Sequence, residues 1–314
     1  MSARSGDMVV AGVLELHYRI IPTDVSEGPS GTATCNYVAR DTDGRRWFVK
    51  AYPVSADLGA ERRSIELAEF AAFVEGAETA EGGLSGKRWA AVGETVGRLH
   101  RTLARHPAGP PCRVPVRQVC DVKRARQRLE RLLACFSKRP PTSEFPTWAR
   151  ETAVRRNEAL PAVAAMLEEL PASLTVQTVH GDLASPNLLL RGQQVAALID
   201  FRPPGHRSPA WELGRIVLDP RTVLAEPHWP TGLAEAITAY RAANPALPAE
   251  ELLAVPRVAA GYLACSVYPL SEAVDDPAAV TPELVAYGRN RHAAMGELRE
   301  RLTEVEEVLH DLLH

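Results

Sequence analysis

Cysteine is scarce and scattered in this chain. Cys35, Cys112, Cys120, Cys135 and Cys265 are the only five among 314 residues, and no two form a Cys-x-x-Cys pair. An odd number without recurrent spacing excludes a disulfide framework and a zinc-ribbon site, and predicts reduced thiols in a cytoplasmic protein. Long apolar runs are lacking too. None approaches the roughly 20 residues of a membrane-spanning helix, and the N-terminus has no basic segment leading into an apolar one, so no membrane partner is expected. An excess of one charge sign is also missing. The 36 Lys and Arg against 39 Asp and Glu give a formal net charge of −3, so no overall field favours nucleic acid, and any basic patch must be local. With 46% hydrophobic content the chain can bury a large core, and its length makes two lobes the expectation.

What is present centres on Val179 to Phe201, which reads V-H-G-D-L-A-S-P-N-L-L-L-R-G-Q-Q-V-A-A-L-I-D-F. Asp182 and Asn187 lie on a loop containing Pro186, and the apolar run Leu188 to Leu190 follows. Gly192 and Gln193 mark a turn, and a second apolar run, Val195 to Ile199, ends in Asp200. Two short strands closing a hairpin would bring Asn187 and Asp200 side by side. Oxygen donors so placed suit a shared Mg²⁺ and leave the Asp182 carboxylate for a reacting hydroxyl, as phosphoryl transfer requires. A His-Gly-Asp turn or an I-D-F strand end would mean little alone. Together, in order and with a lysine upstream, they carry the reading.

Before this stretch, Val9 to Ile21 has the partial alternation of a strand, and Thr23 to Thr34 supplies turn chemistry. Tyr37 to Ala39 and Trp47 to Tyr52 read as strands joined by a hairpin turn at Asp41 to Arg46. Lys50 ends W-F-V-K, and a charge in an apolar strand needs a partner if it points inward. A helix is predicted from Leu58 to Phe73, carrying Glu61, Glu66 and Glu69, and a hinge at Ala71 to Gly83. Gly86 to Arg105 is amphipathic, Pro107 to Pro115 reads as a linker, and Val119 to Lys138 as a helix with Lys123, Arg124, Arg126, Arg128 and Arg131. Trp148 to Leu170 is predicted helical with an interruption near Pro161. Thr231 to Ala243, Ala249 to Leu270 and Thr281 to Leu313 complete the helices.

H-G-D-L-x-x-x-N followed by I-D-F resembles the aminoglycoside phosphotransferase and choline kinase branch of the protein-kinase-like fold, where Gly replaces the Arg of H-R-D. The resemblance spans essentially the whole chain and is most specific at residues 179–201. It implies an α+β, bilobal protein-kinase-like fold, with a shortened antiparallel β lobe binding nucleotide (residues 1–75) and a large, mainly helical catalytic and acceptor-binding lobe (residues 76–314). It implies ATP and Mg²⁺ as cofactors. Asp182 would be the catalytic residue, Asn187 and Asp200 metal ligands, and Lys50 the holder of the nucleotide phosphates, oriented by Glu61 with Glu66 in reserve. Gly28, Ser30, Gly31 and Thr32 would cover the phosphates, although they form no G-x-G-x-x-G. Phe73, Val74 and Glu75 would offer backbone groups to adenine. His180 would buttress the loop, His100 would be structural at a helix end, and Glu212 would stand in for the family's Asp that supports the catalytic loop. The departure lies before the hinge, where two strands of the family are not evident. Either they are gone, or Ala71 to Glu75 is itself the hinge strand and the preceding helix is short.

The function so implied is transfer of the ATP γ-phosphoryl group to a hydroxyl of a small molecule of antibiotic, amino alcohol or sugar type. Two alternatives stay open. One is phosphorylation of Ser or Thr in a precursor peptide of ribosomal peptide natural-product biosynthesis, of lanthipeptide or thioamitide type, alongside a partner enzyme. The basic run at Lys123 to Arg131 and the shortened small lobe favour it, although such a run is usually a solvated face. The other is a non-catalytic pseudokinase serving as a binding module. Intact Lys50, Asp182, Asn187 and Asp200 speak against that reading.

Overall fold

Val10 and Leu14 stand one helical turn apart, and that spacing outweighs the partial alternation of Val9 to Ile21. In the computed structural model, which describes residues 3–28, 35–51, 68–72, 74–106, 110–202 and 205–313, this segment is not a strand but the helix α1 (Ala3–Tyr18). Its apolar side buries Val10 and Leu14 against Ala39 and Val49 of a sheet, with Val13 and Tyr18 packed alongside. The chain turns at Arg19 (φ 56°), and the Ile20 N–H donates to the Leu14 carbonyl at 3.1 Å. The sheet is an antiparallel meander of β1 (Pro22–Glu27), β2 (Cys35–Asp41), β3 (Arg46–Ala51) and β4 (Ala68–Ala72). Its central hairpin forms as predicted. The Asp41 carboxylate accepts the N–H groups of Asp43 (2.9 Å) and Arg45 (2.8 Å) and the Trp47 indole N–H (2.9 Å), while Gly44 supplies φ 78°.

Over Ala68 to Ala72, strand β4 corrects the helix expected from Leu58 to Phe73. Ala68 to Ala72 pairs instead with β3, which places Glu69 directly across the ladder from Lys50 and satisfies an edge that would otherwise lie open. Residues 52–67, and with them Glu61 and Glu66, lie outside the described residues, as do Ser30, Gly31, Thr32 and Phe73. The chain divides into two units, Met1–Gly76, which holds these elements, and Ala77–His314.

The second unit begins with β5 (Glu78–Thr79), α2 (Arg88–Leu103), β6 (Cys112–Pro115), α3 (Val122–Lys138), α4 (Glu144–Glu168) and β7 (Ser173–Thr178). Then follow β8 (Leu188–Arg191), β9 (Gln194–Leu198), β10 (His206–Arg207), α5 (Pro209–Val217), α6 (Pro220–Ala225) and α7 (Trp229–Ala243). It closes with α8 (Ala249–Leu253), α9 (Val255–Cys265), α10 (Glu272–Asp275), α11 (Pro282–Glu300) and α12 (Leu302–Leu313). Two small antiparallel sheets, β5-β8-β9 and β10-β7-β6, sit among these helices. The expected linker Pro107 to Pro115 ends instead in strand β6, whose Cys112 to Pro115 pair with Val176 to Ser173 of β7. Pro115 falls at the strand's end, where a missing N–H costs least. No interruption occurs at Pro161. Helix α4 runs through it, because Leu160 and Val163 on either side are buried in the core and hold the ridge in place. The single helix expected from Ala249 to Leu270 is two, with Pro256 in the first turn of the second. Likewise α11 and α12 divide at Arg301.

Among the described residues no helix is long and apolar enough to cross a membrane. Cys112, Cys120, Cys135 and Cys265 are free thiols, and burial pushes Cys120 up to about 12 and Cys265 up to about 11, which suppresses their thiolates.

The tightest packing joins α2 to α7 through residues without side chains. A Cβ at Gly93 would stand 2.0 Å from the Ala236 carbonyl oxygen, one at Gly97 2.8 Å from that of Tyr240, and one at Gly232 would meet the Trp89 ring at 2.2 Å. Gly93→Ala therefore has to drive the two helices apart. A loss of about 3 kcal/mol or more is expected in denaturant unfolding. Unfolding unchanged from that of the parent would refute this close approach.

Candidate active site

The H-G-D turn is built outward from a buried carboxylate. Strand β7 leads into His180, and Gly181 takes φ 87°, a conformation that glycine adopts without a Cβ penalty. Both peptide N–H groups point at Glu212 in the first turn of α5, His180 donating to Oε2 at 2.9 Å and Gly181 to Oε1 at 2.7 Å. Glu212 is fully buried, and so is His100, whose Nε2 lies 3.0 Å from Glu212 Oε2. The Tyr240 hydroxyl is 2.9 Å from His100 Nδ1 and accepts from Asn244 Nδ2 at 3.1 Å. With Nε2–H donating to Glu212 and the Tyr240 hydroxyl donating to Nδ1, both ring nitrogens of His100, the Tyr240 hydroxyl and both Glu212 oxygens are engaged. Burial opposes the charge on Glu212. The His100 hydrogen bond and the two peptide N–H groups more than offset it and hold the carboxyl below its usual range.

His180 ties the turn to the end of the β8–β9 hairpin. Its Nε2 donates to the Ile199 carbonyl at 2.8 Å and its Nδ1 accepts the Asp182 N–H at 3.3 Å, while the Phe201 ring lies 4.1 Å from its own, centroid to centroid. Those roles require the neutral ring, and burial lowers its pKa accordingly. The Ile199 N–H donates to the Asn187 carbonyl at 3.0 Å, and the Arg202 N–H donates to the His180 carbonyl at 3.0 Å. Between these two bonds Asp200 takes φ 66°, a left-handed conformation that Asp tolerates better than most residues. Asn187 Nδ2 donates to the Asp182 carbonyl at 2.9 Å, which turns its Oδ1 the other way. Behind the loop, Asp219 accepts the N–H groups of Arg221 (2.9 Å) and Ser185 (3.5 Å).

Two arginines hold the Asp182 carboxylate. Arg202 reaches Oδ2 through Nε (3.2 Å) and Nη2 (3.0 Å), and Arg215 reaches Oδ1 at 2.5 Å, its guanidinium 5.5 Å from the Trp211 ring centroid. Burial raises the carboxyl's pKa, but Arg215 and then Arg202 outweigh it, leaving Asp182 below the usual carboxylate range. Neither arginine was expected from sequence. Arg202 directly follows I-D-F, which is a usable signal, whereas nothing local marks Arg215, which lies 33 positions from its partner.

Asp182, Asn187 and Asp200 are thus brought together in the second unit, with His180 and Glu212 beneath them. Of the residues expected at a nucleotide, Lys50 sits on β3 of the first unit, and the Gly28 N–H donates to the Asn36 carbonyl at 2.8 Å where β1 ends. Val74 is half-buried, and the exposed Glu75 pairs with Arg46 at 2.9 Å. On α3, Lys123, Arg124, Arg126, Arg128 and Arg131 are all exposed, with Arg131 3.0 Å from Asp275.

Residues 24–253 match the model of the phosphotransferase enzyme family. Compared with curated proteins, the chain has no significant sequence match. Among solved structures it is similar to an ethanolamine kinase of Plasmodium vivax, with a TM-score of 0.61 and 11% identity over 96% of this chain and 91% of that one. It is similar to an amicoumacin kinase in complex with AMP-PNP, Ca²⁺ and Ami, with a TM-score of 0.57 and 16% identity over 94% of each chain. A spectinomycin phosphotransferase in complex with ADP and spectinomycin gives a TM-score of 0.56 and 12% identity over 93% of this chain and 98% of that one. At such identities the likeness speaks for the fold, a mixed α and β chain with small antiparallel sheets and a mostly helical larger part.

Glu212→Gln turns an –NH₂ toward donors that now meet an oxygen, so a loss of about 3 kcal/mol at neutral pH is expected. The folded carboxyl titrates below its ordinary 4.5, so its contribution is complete above that pH and is lost as pH falls through the folded value. Denaturant unfolding followed from neutral to acid pH should show this loss in the parent and a flatter curve in the variant. Parallel curves would remove Glu212 from the centre of the loop.

Proposed function

The chain belongs to the phosphotransferase enzyme family, and from that premise we propose that it transfers the γ-phosphoryl group of ATP to a hydroxyl of a small molecule. The observation that carries the reading is one locked construction. Asp182 and Asn187 lie on a loop whose peptide groups are pinned to Glu212, and Asp200 lies on a turn pinned to both ends of that loop. In this reading Asp182 accepts a hydrogen bond from the acceptor hydroxyl and takes its proton as transfer proceeds. With two arginines holding it below the ordinary carboxylate range, Asp182 is a weak base. Its larger contribution is to orient the hydroxyl, and the proton follows late, as suits a loose phosphoryl-transfer transition state.

Asn187 and Asp200 fit a Mg²⁺ ion. The Asn187 amide nitrogen is committed to the Asp182 carbonyl, leaving its oxygen as the donor, and a carboxylate with an amide oxygen is the sparse, hard ligand set that Mg²⁺ accepts alongside phosphates. Bound there, the ion would neutralise charge on the transferring phosphates. In the first unit Lys50 is assigned to the nucleotide phosphates, Glu61 or Glu66 to orienting Lys50, Gly28 to Thr32 to the loop over the phosphates, and Phe73 to Glu75 to the adenine.

A second acceptor class, Ser or Thr of a precursor peptide handled together with a partner enzyme, is favoured by one observation, the exposed basic side of α3. ADP release from Mg²⁺-ATP against small hydroxylated molecules and Ser/Thr-rich peptides separates the two. Asp182→Asn and Asp200→Ala should each lower acceptor-dependent release by about 10²- to 10⁴-fold while leaving a folded protein that still unfolds cooperatively. Near-parent turnover in either variant would end the assignment, and absence of Mg²⁺-ATP binding by the folded protein would point to a non-catalytic binding module. Arg202→Ala tests the electrostatics. Freed of one cation, Asp182 should titrate higher, moving the acid limb of the kcat/KM profile to higher pH, and an unmoved limb would mean that Asp182 does not set it.

A further inference from the structure

Arg202 directly follows the I-D-F stretch and forms the open side of the clamp on Asp182. Its side chain is 67% exposed, against 21% for that of Arg215. Arg215 is committed where it stands, between Asp182 Oδ1 and the Trp211 ring. Arg202 is instead anchored at three points. Its peptide N–H donates to the His180 carbonyl at 3.0 Å, and its Nε and Nη2 donate to Asp182 Oδ2 at 3.2 and 3.0 Å. Its stem lies over Gly181, where a Cβ would stand 3.0 Å from the Arg202 Cβ and 3.6 Å from its Cγ. An exposed ion pair contributes little to stability, so stability does not account for a cation anchored three ways beside the catalytic carboxylate.

A guanidinium carries donors on every edge of its plane, one on Nε and two on each terminal nitrogen. Asp182 takes the edge formed by Nε–H and one Nη2–H, and a single oxygen, Oδ2, accepts both. The other Nη2–H and both Nη1–H groups have no hydrogen-bond partner among the described residues, and the exposure of the side chain leaves them open to a ligand. An acceptor hydroxyl bonded to Asp182 stands about 3 Å from the carboxylate, and a phosphorus poised for in-line attack stands about 3 Å beyond that hydroxyl oxygen. Asp200, assigned above to the metal, precedes Arg202 by two residues on the same turn. A γ-phosphoryl group between Asp182 and Asp200 therefore comes within reach of the far edge of Arg202, where paired donors match two phosphoryl oxygens.

Resting on the phosphotransferase reading above, we propose that Arg202 is a catalytic residue that bridges Asp182 and the γ-phosphoryl group, with Nε–H on the carboxylate and Nη1–H and Nη2–H on the phosphoryl oxygens. In the transfer the acceptor oxygen bonds to the γ-phosphorus as the bond from that phosphorus to the β,γ-bridging oxygen breaks. The electron pair of the broken bond leaves with ADP, and the acceptor proton passes to Asp182. Arg202 stays protonated throughout and offsets charge on the group being transferred. Calorimetric titration of the full chain with Mg²⁺-AMP-PNP and with Mg²⁺-ADP tests the bridge by binding, without turnover. In Arg202→Met the affinity for AMP-PNP should fall about tenfold while that for ADP holds, the low end of the range for a charged hydrogen bond because the guanidinium is exposed. Arg202→Lys keeps the charge but loses the fork, and should retain only part of the preference for AMP-PNP. A merely structural Arg202 would weaken both nucleotides together. An unchanged preference in Arg202→Met, or an equal loss of both affinities, would overturn the bridge and leave the phosphotransferase reading standing on nucleotide binding itself. Binding of neither nucleotide by the folded parent would overturn that reading, and the bridge with it. Should Arg202→Met not fold, Arg202→Lys decides, and a preference equal to the parent's would refute the bridge.

Discussion

Everything around the candidate site hangs on one buried anion. Glu212 has no contact with solvent, yet stays ionised because His100 and two successive peptide N–H groups surround it. Those two donors belong to the His180–Gly181 turn, which would otherwise leave unpaired N–H groups inside the larger unit. The carboxylate therefore decides where the loop bearing Asp182 and Asn187 sits. His100 in turn is fixed by Tyr240 and Asn244, so the position of the loop is set by how α2 meets α7, where Gly93, Gly97 and Gly232 allow close contact. Packing and chemistry are one construction here: glycines let the helices approach, approach aligns the polar chain, and the chain holds the turn.

Charge is arranged differently above the turn than below it. Below, one anion is balanced by donors on every side. Above, the Asp182 carboxylate is matched by two guanidiniums, those of Arg202 and Arg215.

The legibility of the chain follows the range of its interactions. The Val179–Phe201 stretch could be read because its parts contact one another: the β8–β9 hairpin turns at Gly192, and its ends place Asn187 beside Ile199. The Asp41–Arg46 hairpin was readable for the same reason. Where local signals competed, sequence misled. Val9 to Ile21 alternates enough to suggest a strand, but a sheet with Ala39 and Val49 on one face offered a helix a better burial for Val10 and Leu14. Ala68 to Ala72 suits a helix by composition, yet the edge of β3 claimed it as a strand, and β7 likewise drew Cys112 to Pro115 out of a Pro-rich linker.

By itself the sequence determined the chemistry on offer: an H-G-D…N…D motif, a lysine in an apolar strand, no disulfide framework and no spanning helix. Those depend on residue identity and short spacing, which a one-dimensional string records in full. Only the tertiary structure decided how that chemistry is tuned. The bond from His100 to Glu212 spans 112 positions, that from Tyr240 to His100 spans 140, and Arg215 reaches Asp182 across 33. No periodicity encodes such pairings. They arise when helices pack, and packing brings charged groups to within hydrogen-bonding distance in an interior where such pairings hold the Asp182 and Glu212 carboxyls below their usual range.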